Sequence, residues 1–253
     1  MNTVITGAGT GIGKSIALRL AADGHNLALV ARNTTRLEAT AAEAIEAGAG
    51  LVSVHECDIR NRSEVNEAFA NAHASIGDFT GLVANSGVGG SNSDGPDDRF
   101  DELVQTNLMG TYYCMRAAQR HLVAGPERRN LIAISSILGR FGVPGYTGYC
   151  ASKTGIMGLV RALAHEVAAD GVQVNAICPG WVETEMAMDG IDGMAAGMGV
   201  THDEAKAIAM QQVPVGRMSQ PEDVAGVVAW LMSTDSRGVT GQGIDINGGA
   251  WMG

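Results

Sequence analysis

Short apolar runs rich in β-branched residues alternate along this chain with longer segments in which apolar residues recur at spacings of three and four. The runs fall at 3–6, 27–31, 51–55, 81–84, 130–135, 172–178 and 243–246. Each is too short for a stable helix and largely apolar on both faces, the pattern of a strand covered on both sides. Between them, Ile12, Ile16 and Leu20 form a helical stripe that ends at Asp23-Gly24, a C-cap signal. The stretches 64–76, 100–122, 149–169 and 222–232 read the same way. Strand and helix alternating over the whole length predict an α/β fold, a doubly wound parallel sheet of about seven strands with helices on both faces. No linker, repeat or low-complexity tract divides the chain, so 1–253 is expected to form a single domain. The segments 85–97 and 179–202 read as loop insertions above the strand ends.

Composition narrows the class. Of 253 residues 35 are glycine, about twice the usual share. Most of them gather at 7–13, 87–95, 139–158, 180–199 and 238–253, largely at the carboxyl ends of the expected strands, where an open α/β sheet binds its ligand. The net charge is −10 with no basic run, which argues against nucleic acid as a partner. Cys57, Cys114, Cys150 and Cys178 form no CxxC pair, and the six histidines have no metal-binding spacing, so no metal is expected. Free thiols, the lack of a signal-peptide pattern and the lack of any apolar run near 20 residues predict a cytoplasmic protein with no membrane span.

The chemistry begins with Thr6-Gly7-Ala8-Gly9-Thr10-Gly11-Ile12-Gly13, placed between the first strand and the first helix. A dinucleotide pyrophosphate suits a helix N-terminus, and glycines permit the tight turn and close backbone approach it needs. The spacing is neither GxGxxG nor the nucleoside-triphosphate loop, since no Gly-Lys-Ser/Thr closes it. The second strand ends Ala31-Arg32 with no acidic residue before Glu38, which favours a 2′-phosphate and hence NADP(H), with Arg36 or Asn33 assisting; NAD(H) is the alternative. Asp58, after the third strand, suits either an adenine amino group or a helix N-cap, and Ile59 beside it belongs to the same expected cofactor wall. Tyr149 and Lys153 lie one helical turn apart, so the ammonium is expected to lower the phenol pKa toward a working acid/base range. Ser136, leaving the fifth strand, is placed to hydrogen-bond a substrate oxygen.

In this order and spacing, Thr6-Gly7-x3-Gly11-Ile12-Gly13, Asn85-Ser86-Gly87, Asn107, Ser136, Tyr149-x3-Lys153 and Pro179-Gly180 resemble the short-chain dehydrogenase/reductase family along nearly the whole chain. The resemblance implies a Rossmann-type fold and a hydride transfer between a nicotinamide and a ketone or secondary alcohol. It implies that Tyr149 is the acid/base, that Ser136 positions the carbonyl, and that Lys153 holds the nicotinamide ribose while Asn107 keeps a relay water. Asn85, Gly87, Pro179, Gly180 and Val182 would line the cofactor path, and Thr184 would reach the carboxamide. Two departures stand out: Ser86 replaces the usual alanine, and Thr10 stands where many NADP-preferring relatives carry a basic residue.

The stretch from 183 to about 205 corresponds to a substrate lid in the family. Its Met186, Met188, Met194 and Met198 suit a hydrophobic or bulky ketone. Leu138, Phe141, Val143, Tyr146 and Trp181 are expected to complete the wall. Cys178-Pro-Gly-Trp-Val-Glu-Thr and Val213-Pro-Val-Gly-Arg217 are similar to 3-oxoacyl carrier-protein reductases and polyketide ketoreductases. That likeness implies a small-molecule or acyl-thioester ketone and an acidic acyl carrier protein as partner, docked on Arg128-Arg129 or on Arg32, Arg36, Arg60 and Arg62. Gly155 and Gly158 inside a long helix suggest close backbone approach. The resemblance implies a homotetramer, with Trp251-Met252-Gly253 at an interface. The rival readings are an NAD-dependent secondary-alcohol or 3-hydroxyacyl-CoA dehydrogenase and a non-catalytic dinucleotide-sensing protein.

Overall fold

The computed structural model describes residues 1–125 and 128–253. Seven parallel strands, β1 (Asn2–Thr6), β2 (Asn26–Ala31), β3 (Val52–Glu56), β4 (Gly81–Ala84), β5 (Arg129–Ile134), β6 (Val172–Pro179) and β7 (Gly243–Ile246), form one sheet in the order β3-β2-β1-β4-β5-β6-β7. Alternate strand residues feed opposite faces, as the strand period of two demands. Val4, Val30, Leu82 and Leu131 face a layer made by α3 (Arg62–Ile76), α5 (Thr111–Gln119) and α6 (Thr147–Val167). Their neighbours Ile5, Leu29, Val83 and Ile132 face α1 (Gly11–Ala22), α2 (Thr34–Ala47) and α9 (Pro221–Met232). The central strands are buried, whereas β3 and β7 at the sheet edges are only half covered.

The chain winds outward from β1 to β3 and then returns to place β4 against β1, with Thr3, Val4 and Ile5 opposite Gly81, Leu82 and Val83. Strand order therefore reverses between β1 and β4, and the crevice above their carboxyl ends is where such a sheet takes its ligand.

Three segments differ from the sequence reading. The stretch 100–122 is not one α-helix. It runs as α4 (Phe100–Val104), a π-helical turn over Gln105–Gly110, then α5. At Gly110 a Cβ would meet Ile59 Cδ1 at 2.6 Å, so the widened turn lies tight against the β3–α3 connection. The expected loop 179–202 holds α7 (Glu185–Met198), followed by α8 (His202–Gln211). Thr184 caps α7 at its start and Gly199, at φ +68°, ends it in the left-handed region, while its alanines and methionines offset its internal glycines. Together α7 and α8 enclose their own small core of Ile191, Ala195, Ala205, Ala209 and Met218. A further helix, α2, has only Leu37, Thr40 and Ala44 buried, too slight an apolar stripe to stand out in an alanine-rich stretch.

Candidate active site

Above β1 the three spaced glycines are each required, for different reasons. Gly7 (φ +66°) and Gly11 (φ +51°) turn the chain through left-handed conformations. A Cβ on Gly13 would fall 2.2 Å from the carbonyl oxygen of Gly7, so only glycine lets α1 start so close to the loop. Thr10 is the extended N-cap of α1 and makes no side-chain cap bond; no acidic side chain stands in the first turn, and Ile12 is half-buried. The helix thus offers unneutralised N–H groups to an anion. Asn85 fastens the loop to β4. Its Nδ2 donates to the carbonyls of Thr6 (3.0 Å) and Gly7 (3.2 Å), and the Asn85 and Ser86 N–H groups both donate to Thr6 Oγ1 at 3.0 Å.

At the end of β2, Arg32 is exposed and has no ion-pair partner among the described residues. Arg36 instead pairs with Glu185 of α7 at 3.0 Å, and Asn33 is spent as the cap of α2, accepting from the Arg36 N–H. Asp58 is not a helix cap; that place belongs to Asn61. Its carboxylate accepts from the Arg60 guanidinium, which holds its pKa below the usual carboxylate range. Ile59 turns its side chain into the core, 5% exposed.

The reactive groups meet above β5. Tyr149 and Lys153 both belong to α6, and the Lys153 nitrogen lies 5.5 Å from the centroid of the Tyr149 ring. Lys153 is 5% exposed and donates to the Ile134 carbonyl at 2.9 Å; burial pulls its pKa down to about 8. The expected depression of the Tyr149 pKa does not appear. Burial raises it, opposed by a hydrogen bond from Ser136, while the lysine nitrogen is engaged by the Ile134 carbonyl. Ser136 caps the short 3-10 turn Ile137–Gly139 by accepting from the Leu138 N–H at 3.1 Å. Ser135 ties the same connection to α6 by donating to the Lys153 carbonyl at 2.9 Å.

Asn107, fully buried in the π-helical turn, accepts from the Val88 N–H (2.9 Å) and donates to the Val88 carbonyl (3.0 Å) and to Ser152 Oγ (3.2 Å). Both amide hydrogens are used, so its side chain has no donor left for a relay water. Ser152 donates in turn to the Tyr149 carbonyl at 2.8 Å. Sequence reasoning passed over this serine, although it stands inside the Tyr149-x3-Lys153 motif. Asn92 was also passed over. Its side chain accepts from the Gly148 N–H at 2.8 Å and donates to Thr147 Oγ1 and Asp98 at 3.0 Å, binding the β4–α4 connection to the first turn of α6. Gly87 fits between these groups, since a Cβ there would lie 3.0 Å from Asn107 Oδ1 and 3.6 Å from Lys153 Nζ.

After β6, Gly180 donates its N–H to the Ile246 carbonyl, with Asn247 so close that a Cβ would meet its Cα at 3.0 Å. Pro179 and Val182 are buried, and Thr184 holds its methyl 3.1 Å from where a Gly11 Cβ would be. The Thr184 hydroxyl bonds locally, donating to the Val182 carbonyl and accepting from the Ala187 N–H. Of the expected substrate wall, Phe141 (39%) and Met186 (47%) are exposed, while Leu138 and Tyr146 are half-buried. Met186 reaches the β4–α4 connection, where a Cβ on Gly89 would meet its sulfur at 2.9 Å. Trp181 instead packs with Met188 and Met194 inside the core of the helical pair, its ring 3.5 Å from a Cβ at Gly190.

Of the arginines proposed for docking, all but Arg32 are otherwise engaged. Arg128 donates to the Leu231 carbonyl and Ser236 Oγ, and Arg129, 7% exposed, donates to the Val123 and Gly125 carbonyls, all at the amino end of β5 and away from the cleft. Arg62 lies over Tyr113, 5.0 Å from its centroid. Among the described residues no helix is long and apolar enough to cross a membrane, and no group of three His, Cys, Asp or Glu side chains is arranged to hold a metal ion.

Comparison with known proteins places this arrangement. A family described as enoyl-(acyl carrier protein) reductase matches residues 7–250. The 3-oxoacyl-(acyl-carrier-protein) reductase of Staphylococcus aureus is 32% identical over 254 residues, covering 99% of this chain and 98% of that protein. A ketoacyl reductase named for the monensin polyketide synthase of Streptomyces virginiae is 34% identical, over 97% of this chain and 95% of that protein. Among solved structures, a variant actinorhodin polyketide ketoreductase with NADPH superimposes with a TM-score of 0.91 at 33% identity, covering 98% of this chain and 96% of that one. Levodione reductase follows with a TM-score of 0.90 at 28% identity, over the same shares of the two chains.

Proposed function

The chain belongs to the short-chain dehydrogenase/reductase family, and on that premise we propose that it reduces 3-oxoacyl-type ketones with NADPH. The observation that carries this reading is the convergence of Ser136, Tyr149 and Lys153 above β5, two strands away from the glycine loop that follows β1. Two neighbouring hydroxyls suit a carbonyl oxygen that gains charge and then a proton as the ketone becomes an alcohol.

The residues present fit the cofactor. The loop closes so tightly that Gly13 admits no side chain, α1 begins without an acidic residue, and Arg32 stands unpaired at the end of β2 for a 2′-phosphate. Gly7, Thr10, Gly11, Ile12 and Gly13 would hold the pyrophosphate, with Asn85, Gly87, Pro179, Gly180, Val182 and Thr184 along the path toward the nicotinamide. When bound, NADPH supplies the hydride.

The chain's own groups manage the proton and the oxygen. Ser136 donates to the substrate carbonyl and holds it beside Tyr149. Tyr149, kept protonated by burial, delivers its proton to the same oxygen. Lys153 offsets the negative charge left on the phenol and, once turned from Ile134, holds the ribose. Asn107 positions: through Val88 and Ser152 it locks the β4 connection to the helix that carries Tyr149 and Lys153.

The segment 183–205 serves as the lid, with Met186 over the substrate and Trp181 stiffening the lid from within. The outer face of α6 exposes Ala151, Thr154, Gly158 and Ala162, and nothing lies within 4 Å of a Cβ on Gly158; this supports a homotetramer in which a second copy covers that face. A cytoplasmic enzyme acting on carrier-bound thioesters completes the reading, with the carrier approaching the cleft side near Arg32. NADPH consumption with a panel of 3-oxoacyl thioesters and cyclic ketones tests it. The expected result is turnover of thioesters with NADPH well above NADH; equal use of NADH would favour the dehydrogenase alternative.

A further inference from the structure

The ion pair between α2 and α7 spans the cofactor loop. Arg36 stands in the first turn of α2, its Cβ 3.0 Å from where a side chain on Gly9 would begin. Thr184, immediately before α7, lies 3.1 Å from the equivalent point on Gly11. The two helix starts therefore flank the glycine loop, and Arg36 Nη1 reaches Glu185 Oε2 at 3.0 Å between them. Glu185 belongs to the first turn of the lid helix and is 71% exposed, with Arg36 at 51%.

We propose that Glu185 competes with the 2′-phosphate of the cofactor for Arg36, so that the lid helix tunes the preference for NADPH over NADH. This rests on the cofactor reading given above. A guanidinium keeps its charge at any working pH and binds a carboxylate or a phosphate through the same fork of N–H donors. Arg32 stands just past the end of β2 and Arg36 in the first turn of α2 beside the glycine loop, so both flank the place of a group bound at the ribose. An exposed ion pair is weak, and a dianionic phosphate can displace Glu185. The displaced carboxylate is not stranded, because the N-terminus of α7 favours a negative side chain. NADH carries no 2′-phosphate and leaves the pair intact. By reciprocity, the Arg36–Glu185 contact lowers affinity for NADPH, and NADPH weakens that contact of α7 with α2.

The test is a double-mutant cycle read as dinucleotide dissociation constants, from the change in NADPH or NADH fluorescence on binding. Glu185→Gln should tighten NADPH by about threefold, the scale of one exposed ion pair, and leave NADH unchanged. Arg36→Gln should weaken NADPH by about tenfold, the scale of one charge-assisted contact, and leave NADH unchanged. In the Arg36→Gln background, Glu185→Gln should have no effect. Equal tightening of both dinucleotides, or tightening that persists without Arg36, overturns the competition, because removal of a negative charge would then act without the arginine. Failure of the native protein to bind either dinucleotide overturns the cofactor reading itself, and the proposal with it.

Discussion

Lys153 carries a charge in a place that resists it. Burial lowers its pKa from 10.5 to about 8, so the native protein gives up this proton at a pH where an unfolded chain still holds it. Below about 8 the charged form is present and its desolvation opposes folding; as pH rises from about 8 toward 10.5 that opposition is relieved. The proposed function uses the charged form, and the expected pH dependence of catalysis has the opposite sign. Tyr149, raised above its ordinary value, stays protonated through neutral pH, and in the proposed reduction it would supply the proton. The kcat/KM for reduction should therefore be level up to about pH 8 and fall above it as Lys153 loses its charge, whereas alcohol oxidation, which needs the phenolate, should rise. In Lys153→Met the descent near pH 8 should vanish and the rate should be low throughout, by roughly 10²–10⁴ on the scale of general acid–base effects. Rate profiles in both directions check this, and an unchanged descent in the variant would assign it elsewhere. The four-residue spacing of Tyr149 and Lys153 made their shared helix legible, and α6 carries both; their roles and that of Ser136 came from the family resemblance. The engagement of Lys153 with Ile134 was not legible, since it depends on a main-chain carbonyl 19 residues away.

At the level of elements, the turn between β1 and α1 makes the strictest demand on sequence. Gly13→Ala would drive a methyl into the Gly7 carbonyl, a contact between backbone groups that no rotamer can relieve. A cost of about 1–3 kcal/mol is expected, seen as a fall of several degrees in Tm together with loss of NADPH binding. Gly158→Ala, facing open space in the single chain, is the matched control: it should raise helix stability by about 1 kcal/mol in a subunit kept monomeric. Thermal melts of the two variants separate a steric requirement from simple helix propensity. The glycine loop was legible because three spaced glycines stood between a strand and a helix. The π-helical turn that buries Asn107 was not: apolar residues through 100–122 keep a helical rhythm, and the bonds of the asparagine amide to Val88 and Ser152 that accompany the turn join distant parts of the chain. The lid helices were hidden differently, because the glycines within α7 resemble a loop although Thr184 and Gly199 mark its ends.

For the whole molecule, the seven strands and their parallel pairing follow from apolar runs separated by helical stripes, and the sheet differs from expectation by only a residue or two at strand ends. Their spatial order, which puts β4 beside β1 and opens the crevice, follows from the family resemblance and not from any one run. The backbone approach expected inside α6 is not found within the subunit: Gly155 meets the Leu108 side chain, and Gly158 meets nothing in its own chain. The tail folds back on its own subunit, with the Arg140 guanidinium 5.1 Å above the Trp251 ring, while Met252 remains 77% exposed. All these parts serve one claim, that hydride arrives from the dinucleotide side of the cleft and the proton from Tyr149. Single-turnover reduction of a 3-oxoacyl thioester with NADPH deuterated at the transferring position of C4, in the native protein and in Tyr149→Phe, tests it most directly. The predicted result is deuterium on the carbinol carbon in the native protein, with the rate reduced by about 10²–10⁴ in a variant that still binds NADPH. NADPH oxidation without label in the alcohol, or an undiminished rate in Tyr149→Phe, would contradict it.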